Sequence, residues 1–363
     1  MTAALDRWLD DFGATLDPIY SRARHVKGPR KEKSTPTAPK SRATGPATRE
    51  SRRATLERIA RKSPEVMVKI TGGGRNMRQI KAHMDYISRN GEIDVEDEQG
   101  LIYQGKKDVR HVRDAWRDGG HTIPYEGEDG PREAFNIMLS MPAGTDKRAI
   151  KDAARAFASE HFDGYQYAFA GHDDKDHFHI HLTVKAVGLD GQRLNPRKGD
   201  LHRWRVTFAE QLRERGVDAN ASPRKARGVV RKAERQALRA ITERNGKSKV
   251  LRKHRAEAIQ EARGRGEHLN PAQDRISAVR VLTLKGYGEV AKILSKGDAA
   301  DRELALQIVG LVKTFQQLNT AHQSRVKAIR DILSTTQQSR VEAIRETLSS
   351  RGHIDGSRNE GRA

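Results

Sequence analysis

Apolar residues recur with two different periods along the middle of the chain, and each period places an element. Val66-Met67-Val68-Lys69-Ile70 reads as a buried strand, followed by Thr71-Gly72-Gly73-Gly74. A helix opens at Asn76, a good N-cap, and stops at Asn90-Gly91. Met77, Ile80, Met84 and Ile87 make its apolar stripe. Tyr86 lies roughly 140° from the centre of that stripe, on the polar side with Gln79. Residues 92–130 are acidic and glycine-rich, with a helix expected near 109–117, and residues 135–142 read as a second strand. From Asp146 a helix carries Ile150, Ala153, Ala154, Phe157 and Ala158 at helical spacing. Residues 165–171 alternate as a strand, cross an acidic turn and return as another strand. Leu189-Asp190-Gly191 signals a hairpin before Leu194. Asp200 is the expected cap of a helix bearing Leu201, Trp204, Phe208 and Leu212. This order predicts an α+β fold, an antiparallel sheet with helices packed on it.

The flanks read differently. Leu5, Trp8, Leu9 and Phe12 fit a short amphipathic helix within residues 1–20. The Lys/Arg/Pro/Ser/Thr-rich text that follows cannot bury enough apolar surface to offset ordering entropy, and predicts a flexible basic arm. Beyond about Pro223 the chain is helical and basic, and the unit Gln323–Arg330 returns as Gln338–Arg345, suggesting a long helix or a helical hairpin. The expected organisation is an N-terminal helix and arm over 1–62, a folded domain over 63–230, a basic helical region over 231–350 and a disordered tail over 351–363.

Charge narrows the partner. With 69 Lys and Arg against 48 Asp and Glu, the formal net charge is +21, which points to a polyanion such as nucleic acid. A generic basic protein of ribosomes or membrane surfaces is the alternative that composition leaves open. The chain has no cysteine, so any metal must be held by histidine and carboxylate, and thiol catalysis is excluded. No apolar run approaches the roughly 20 residues of a membrane span. Residues 1–10 are acidic and amphipathic rather than signal-like, so a cytoplasmic location is expected.

The chemistry concentrates in residues 172–181. On a strand, His177, His179 and His181 share one face, while Phe178, Ile180, Leu182 and Val184 face the core. The bland alternative is a polar face in water, yet exposed strands rarely place imidazoles at three alternate positions. His172, His179 and His181 supply three nitrogen ligands with coordination positions left open, the catalytic kind of site. Imidazoles suit Zn²⁺ or Mn²⁺, whereas Mg²⁺ alone prefers oxygens. Asp173, Asp174 and Asp176 stand beside the cluster. A metal on a basic protein suggests phosphoryl transfer. Ionising a free phenol at neutral pH costs up to about 4 kcal/mol, which a nearby cation or base must supply. Seven tyrosines compete as nucleophile. Tyr165 and Tyr167 fit a core, and Tyr86, on a polar helical face, is best placed.

The histidine stretch, the segment Met84–Gly91 and the segment Leu139–Asp146 together resemble the three motifs of conjugative relaxases. The nearest group is MOBP, which includes the border endonuclease of T-DNA transfer. The resemblance spans about residues 65–230 and places the chain with the HUH superfamily, through His179-Ile180-His181. It implies a five-stranded antiparallel sheet with a divalent ion at its centre, Mg²⁺ or Mn²⁺ with Zn²⁺ as a further choice. It implies that Tyr86 attacks one phosphodiester at an origin of transfer, keeping the 5′ phosphate and freeing a 3′ hydroxyl. His172, His179 and His181 would hold the metal, and Ser140 would position DNA, unless it is only a strand-end hydroxyl satisfying backbone groups. Asp174 is the favoured acidic partner, with Asp176 and His177 as rivals. Phe178 departs from the proline common in the family. Arg89, Arg197, Lys198, Arg224, Lys225 and Arg227 are candidate DNA contacts. Single-stranded or supercoiled DNA, a relaxosome accessory protein and a type IV coupling protein are the implied partners, with export through a type IV secretion system.

Three rivals remain: a replication initiator of the same superfamily, a metal-dependent phosphodiesterase that activates water, and a noncatalytic DNA-binding protein. Initiators usually carry the tyrosine after the histidine pair, whereas Tyr86 precedes it.

Overall fold

Alternating Phe135, Ile137 and Leu139 build a central strand, and their side chains face a core that also takes in Ile180, Leu182 and Val184. In the computed structural model the described residues are 49–127, 130–174, 177–229, 236–244, 248–264, 273–316 and 321–355. The helix expected within 1–20, the arm up to residue 48, Asp176 and residues 356–363 lie outside them. Residues 49–60, placed in the arm by composition, instead form helix α1 (Arg49–Ala60), which buries Leu56 and Ile59.

The first unit, residues 1–223 with 293–307, contains the sheet. Its strands are β1 (Met67–Gly72), β2 (Val95–Asp97), β3 (Ile102–Tyr103), β4 (Ala134–Ser140), β5 (Tyr167–His172) and β6 (His179–Lys185). All pairings are antiparallel, in the order β1-β4-β6-β5-β2-β3. The sheet therefore has six strands, not five. The unforeseen elements are β2, short and acidic, and β3, only two residues long, so neither shows a period. Their turn is tied by Asp97, whose carboxylate accepts from the Gln99 and Leu101 amides, both at 2.9 Å. Buried Glu96 is held by Arg155 and by Lys151 at 3.5 Å. The signal at Leu189-Asp190-Gly191 yields one isolated bridge, Val187 with Arg193.

Two helical layers cover the sheet. On one face lie α2 (Met77–Ile87) and α3 (Gly105–Asp118), whose Met77, Ile80, Met84, Ile87, Val109, Val112 and Trp116 pack on Ala168 and Ala170. On the other lie α4 (Lys147–His161) and α5 (Lys198–Glu214), which bring Ile150, Phe157, Trp204, Phe208 and Leu212 against β1, β4, β5 and β6. Asn76 caps α2, its side chain accepting from the Gln79 amide at 2.9 Å. Asp200 is not the N-cap of α5. It stands at the third helical position and accepts from the Arg197 amide at 2.6 Å, in a capping box. Covered on both sides, β6 is buried at all seven positions. Its last residue, Lys185, donates to the Trp116 and Gly119 carbonyls at 2.9 and 2.5 Å and to Gln166 at 3.0 Å. A cation at the C-terminal end of α3 is favourably placed against the helix dipole, and it fixes α3 to the sheet.

His161 packs on Phe157 and Trp204, with ring centroids 5.0 and 6.4 Å away. Burial, helped by Arg203 and opposed by Asp200, pushes its pKa down from 6.5 to about 4. Below 6.5 the unfolded chain takes a proton that the folded chain refuses until about 4. Stability present above that window is lost as pH falls through it. Urea titrations at roughly pH 7.5 and pH 5 are expected to differ by about 2 kcal/mol from this residue, and His161→Phe to remove that part. An undiminished difference in the variant would contradict this.

The second unit, residues 224–292 with 308–363, is helical. It contains α6 (Gln236–Glu243), α7 (Lys249–Ala262), most of α8 (Gln273–Leu294), the second half of α9 (Ala299–Gln316) and all of α10 (Ala321–Asp355). Both copies of the repeat lie in the single helix α10, which runs into the segment expected as a tail. Tyr287 packs on Phe315 at 5.9 Å and donates to the Ala226 carbonyl at 2.6 Å.

Candidate active site

Strand register assembles the histidines. His172 at the end of β5 pairs with His179 at the start of β6, and His179 pairs with Ser140 at the end of β4. The alternation that sends Ile180 and Leu182 into the core sends His179 and His181 to the opposite face, which is the α2 side. Ring centroids are 4.5 Å apart for His172 and His181, 4.9 Å for His179 and His181, and 5.4 Å for His172 and His179. All three are buried, and one nitrogen from each lies within 4.8 Å of the others.

Two rings are oriented by backbone carbonyls. A carbonyl only accepts, so His172 Nε2, 2.7 Å from the Ile87 oxygen, is the ring's N–H and Nδ1 keeps the lone pair. By the same reasoning His179 Nδ1 donates to the His177 oxygen at 3.2 Å, leaving the Nε2 lone pair to ligate. Carbonyls that hold ligand imidazoles in one tautomer are the usual outer support of a metal site. The donor set therefore fits a borderline divalent ion with coordination positions left open. His177 takes part through its backbone.

Helix α2 delivers the phenol. Its apolar stripe sits on the sheet, and one polar edge carries His83, Tyr86 and then Arg89 beyond the helix end. The Tyr86 ring lies 5.5 Å from His181 and 5.9 Å from His172, and is 44% exposed. The other described tyrosines are less suited. Burial pushes Tyr167 and Tyr103 up to about 12 and raises Tyr165 and Tyr287. Tyr125 is exposed, but its carbonyl accepts from the Arg78 amide at the opposite end of α2. Tyr20 lies outside the described residues.

The chain leaves α2 through a strained turn in which Arg89, Asn90 and Gly91 have φ of 50°, 57° and 94°. Left-handed backbone costs a non-glycine residue about 1 kcal/mol or more. A Cβ on Gly91 would lie 2.4 Å from the Lys106 nitrogen. This turn brings the Arg89 guanidinium over the Tyr86 ring, 4.8 Å from its centroid, and Nη2 to 3.4 Å from His172 Nδ1. Arg89 also pairs with Asp174. Burial works against ionising Asp174, but the charges of Arg89 and then His172 outweigh it and hold the carboxyl below its usual range. Asp174 thus pairs with the cation beside the phenol while also lying in the field of His172 and His179, and Asp173 pairs with Lys147.

Sequence reasoning passed over His83. Its ring lies 6.0 Å from Tyr86 and 6.3 Å from His181, and burial, then the charge of His172, pushes its pKa down to about 4. The signal was its spacing of three from Tyr86, which puts both on one helix edge. Arg197 and Lys198 do not join the site; they begin α5 on the other face of the sheet. Arg224, Lys225 and Arg227 lie in a 3₁₀ turn that opens the second unit.

Residues 86–217 match the family described as Relaxase: MobA/VirD2-like, nuclease domain, and this stretch holds the tyrosine, the serine and all three histidines. Over these residues the chain is similar to a MobA/VirD2-like relaxase nuclease domain. The chain is also similar to curated proteins named T-DNA border endonuclease VirD2. Identity is 28% over 184 residues to that of Rhizobium radiobacter, covering 46% of this chain and 43% of the relative. It is 28% over 200 residues for Rhizobium rhizogenes, covering 48% and 46%, and 27% over 204 residues for Agrobacterium fabrum, covering 49% and 46%. The chain thus spans less than half the length of these relatives. Within the matched stretch Tyr86 is the first residue and the histidine strand lies in the C-terminal half. No helix among the described residues is long and apolar enough to cross a membrane.

Proposed function

We propose that the protein is a DNA strand-nicking relaxase that cuts by transesterification through Tyr86. The observation that carries this is the phenol of Tyr86, exposed and beside two of three buried imidazoles, while burial disfavours ionisation of four other tyrosines. The Tyr86 oxygen forms a bond to phosphorus, the bond from phosphorus to the 3′ oxygen breaks, and that oxygen leaves as a hydroxyl. The phenol's proton is accounted for on the new 3′ hydroxyl, so the joining reaction is the same exchange run backwards.

His172, His179 and His181 would hold a divalent ion, Mg²⁺, Mn²⁺ or Zn²⁺, which when bound would neutralise charge on the phosphate and polarise it. Arg89 fixes the plane of the phenol and is placed to meet the phosphate after transfer, and Asp174 holds Arg89 there. Ser140, in register with His179, is the positioning hydroxyl for DNA entering from β4. The charge of +21 supports a nucleic-acid substrate. We assign DNA at an origin of transfer as that substrate, with an accessory protein and a type IV coupling protein as partners in export.

The test is incubation of the protein with a labelled single strand from its own genetic element in Mn²⁺ or Mg²⁺. The expected products are a detergent-resistant protein–DNA adduct and a fragment ending in a 3′ hydroxyl. Cleavage with no adduct would instead favour hydrolysis by water.

A further inference from the structure

Side chains on the histidine face of the sheet form a grid fixed by register. One row runs Met67, Ser140, His179, His172 across β1, β4, β6 and β5. The next runs Lys69, Met138, His181, Ala170. At the β5 end this face is roofed by α2 and α3, which bury Ala170. At the β1 end it is open: Met67, Lys69 and Thr71 are exposed, and Asn136 and Met138 are half-buried. Among the described residues the result is an uncovered shelf that is continuous, row by row, with the imidazole cluster.

We propose that this shelf is the bed for the single strand next to the cleaved bond, with Lys69 taking a neighbouring phosphate and Met67 and Met138 supporting a base. The proposal rests on the phosphodiester-cleaving reading of the histidine and tyrosine site, and names where its substrate lies. Three features of the shelf select a nucleic-acid strand. Adjacent strands are about 4.8 Å apart, so the Lys69 backbone stands about 10 Å from that of His181, a gap a lysine side chain shortens. Lys69 is the only charged residue among the face positions Met67, Lys69, Thr71, Ala134, Asn136, Met138 and Ser140, so nothing on that surface repels a phosphate. Methionine thioethers are polarisable and make favourable contacts with aromatic rings, which suits a base laid flat without demanding its identity. Specificity would then come from elsewhere, and this bed would hold any sequence.

The experiment measures binding of a labelled oligothymidylate, which carries no cleavage site, to the full chain with Tyr86→Phe, across a salt series. Each phosphate contact on a single strand contributes about 0.7 to the slope of log affinity against log salt. Lys69→Met is expected to lower that slope by about 0.7 and to weaken binding about fivefold near 0.1 M salt. Met67→Glu is expected to weaken it as well, by putting a carboxylate on the bed. Arg148→Met, on α4 across the sheet, is expected to leave the slope unchanged. A Lys69→Met slope equal to the parent's would overturn the proposal, as would an equal drop for Arg148→Met. A second copy of the chain or another protein on the shelf would give that first result. Because binding alone is read, a chain that nicks but binds independently of Lys69 refutes only the shelf. A chain that fails to nick, yet shows the Lys69 effect, refutes only the site.

Discussion

Tyr86→Phe is expected to eliminate the covalent protein–DNA adduct and to slow strand cleavage at least about a thousandfold, with little change in affinity for the uncleaved strand. The substitution removes one hydroxyl and keeps the ring, so the contacts with His172 and His181 and the cation above its face persist. Helix α2 is anchored by Met77, Ile80, Met84 and Ile87, none of which the change touches. Thermal melting should therefore match the parent, and the loss belongs to chemistry rather than folding. Denaturing gels of the labelled strand read both the adduct and the cut. Cleavage at the parent's rate would show that water or another side chain attacks.

His181→Ala is expected to have a similar effect by a different route. His181 has the shortest ring separations in the cluster, 4.5 Å to His172 and 4.9 Å to His179, and also contacts Tyr86 at 5.5 Å. Losing one of three nitrogen donors should empty the site at micromolar metal and lower cleavage at least about a thousandfold. EDTA should reduce the parent to the same level and have no further effect on the variant. Binding of the strand should survive in both. Metal content measured on the purified proteins separates the causes: a variant that keeps its metal and its activity would show that the histidines serve structure alone.

Much of this site could be read from residue order because strand chemistry enforces it. A run that alternates His179, Ile180, His181 and Leu182 has one arrangement that buries the aliphatic residues, and it aligns the imidazoles. The polar edge of α2 was equally legible, because Met77, Ile80, Met84 and Ile87 fix which way the helix faces. What the sequence did not reveal depends on pairing across distance. The hairpin of β2 and β3 is held by Arg155 and Lys151 from α4 on Glu96, and by Asp97 on its own turn, so no local period announces it. Asp174 read as an acid beside the metal because it follows His172. Its partner is Arg89, carried there by a left-handed turn that only coordinates reveal. The shelf beside the cluster was invisible for the same reason, since Lys69 meets Met138 and His181 only through sheet register.

The claim on which the account stands is that the phenol oxygen of Tyr86 becomes the phosphoester. Tandem mass spectrometry on trypsin-digested adduct, after nuclease trimming, reads this directly. The account predicts a nucleotide on the peptide Ala82–Arg89, fragmenting to place it at Tyr86. A nucleotide on Tyr125, on any other tyrosine or on a histidine would contradict it.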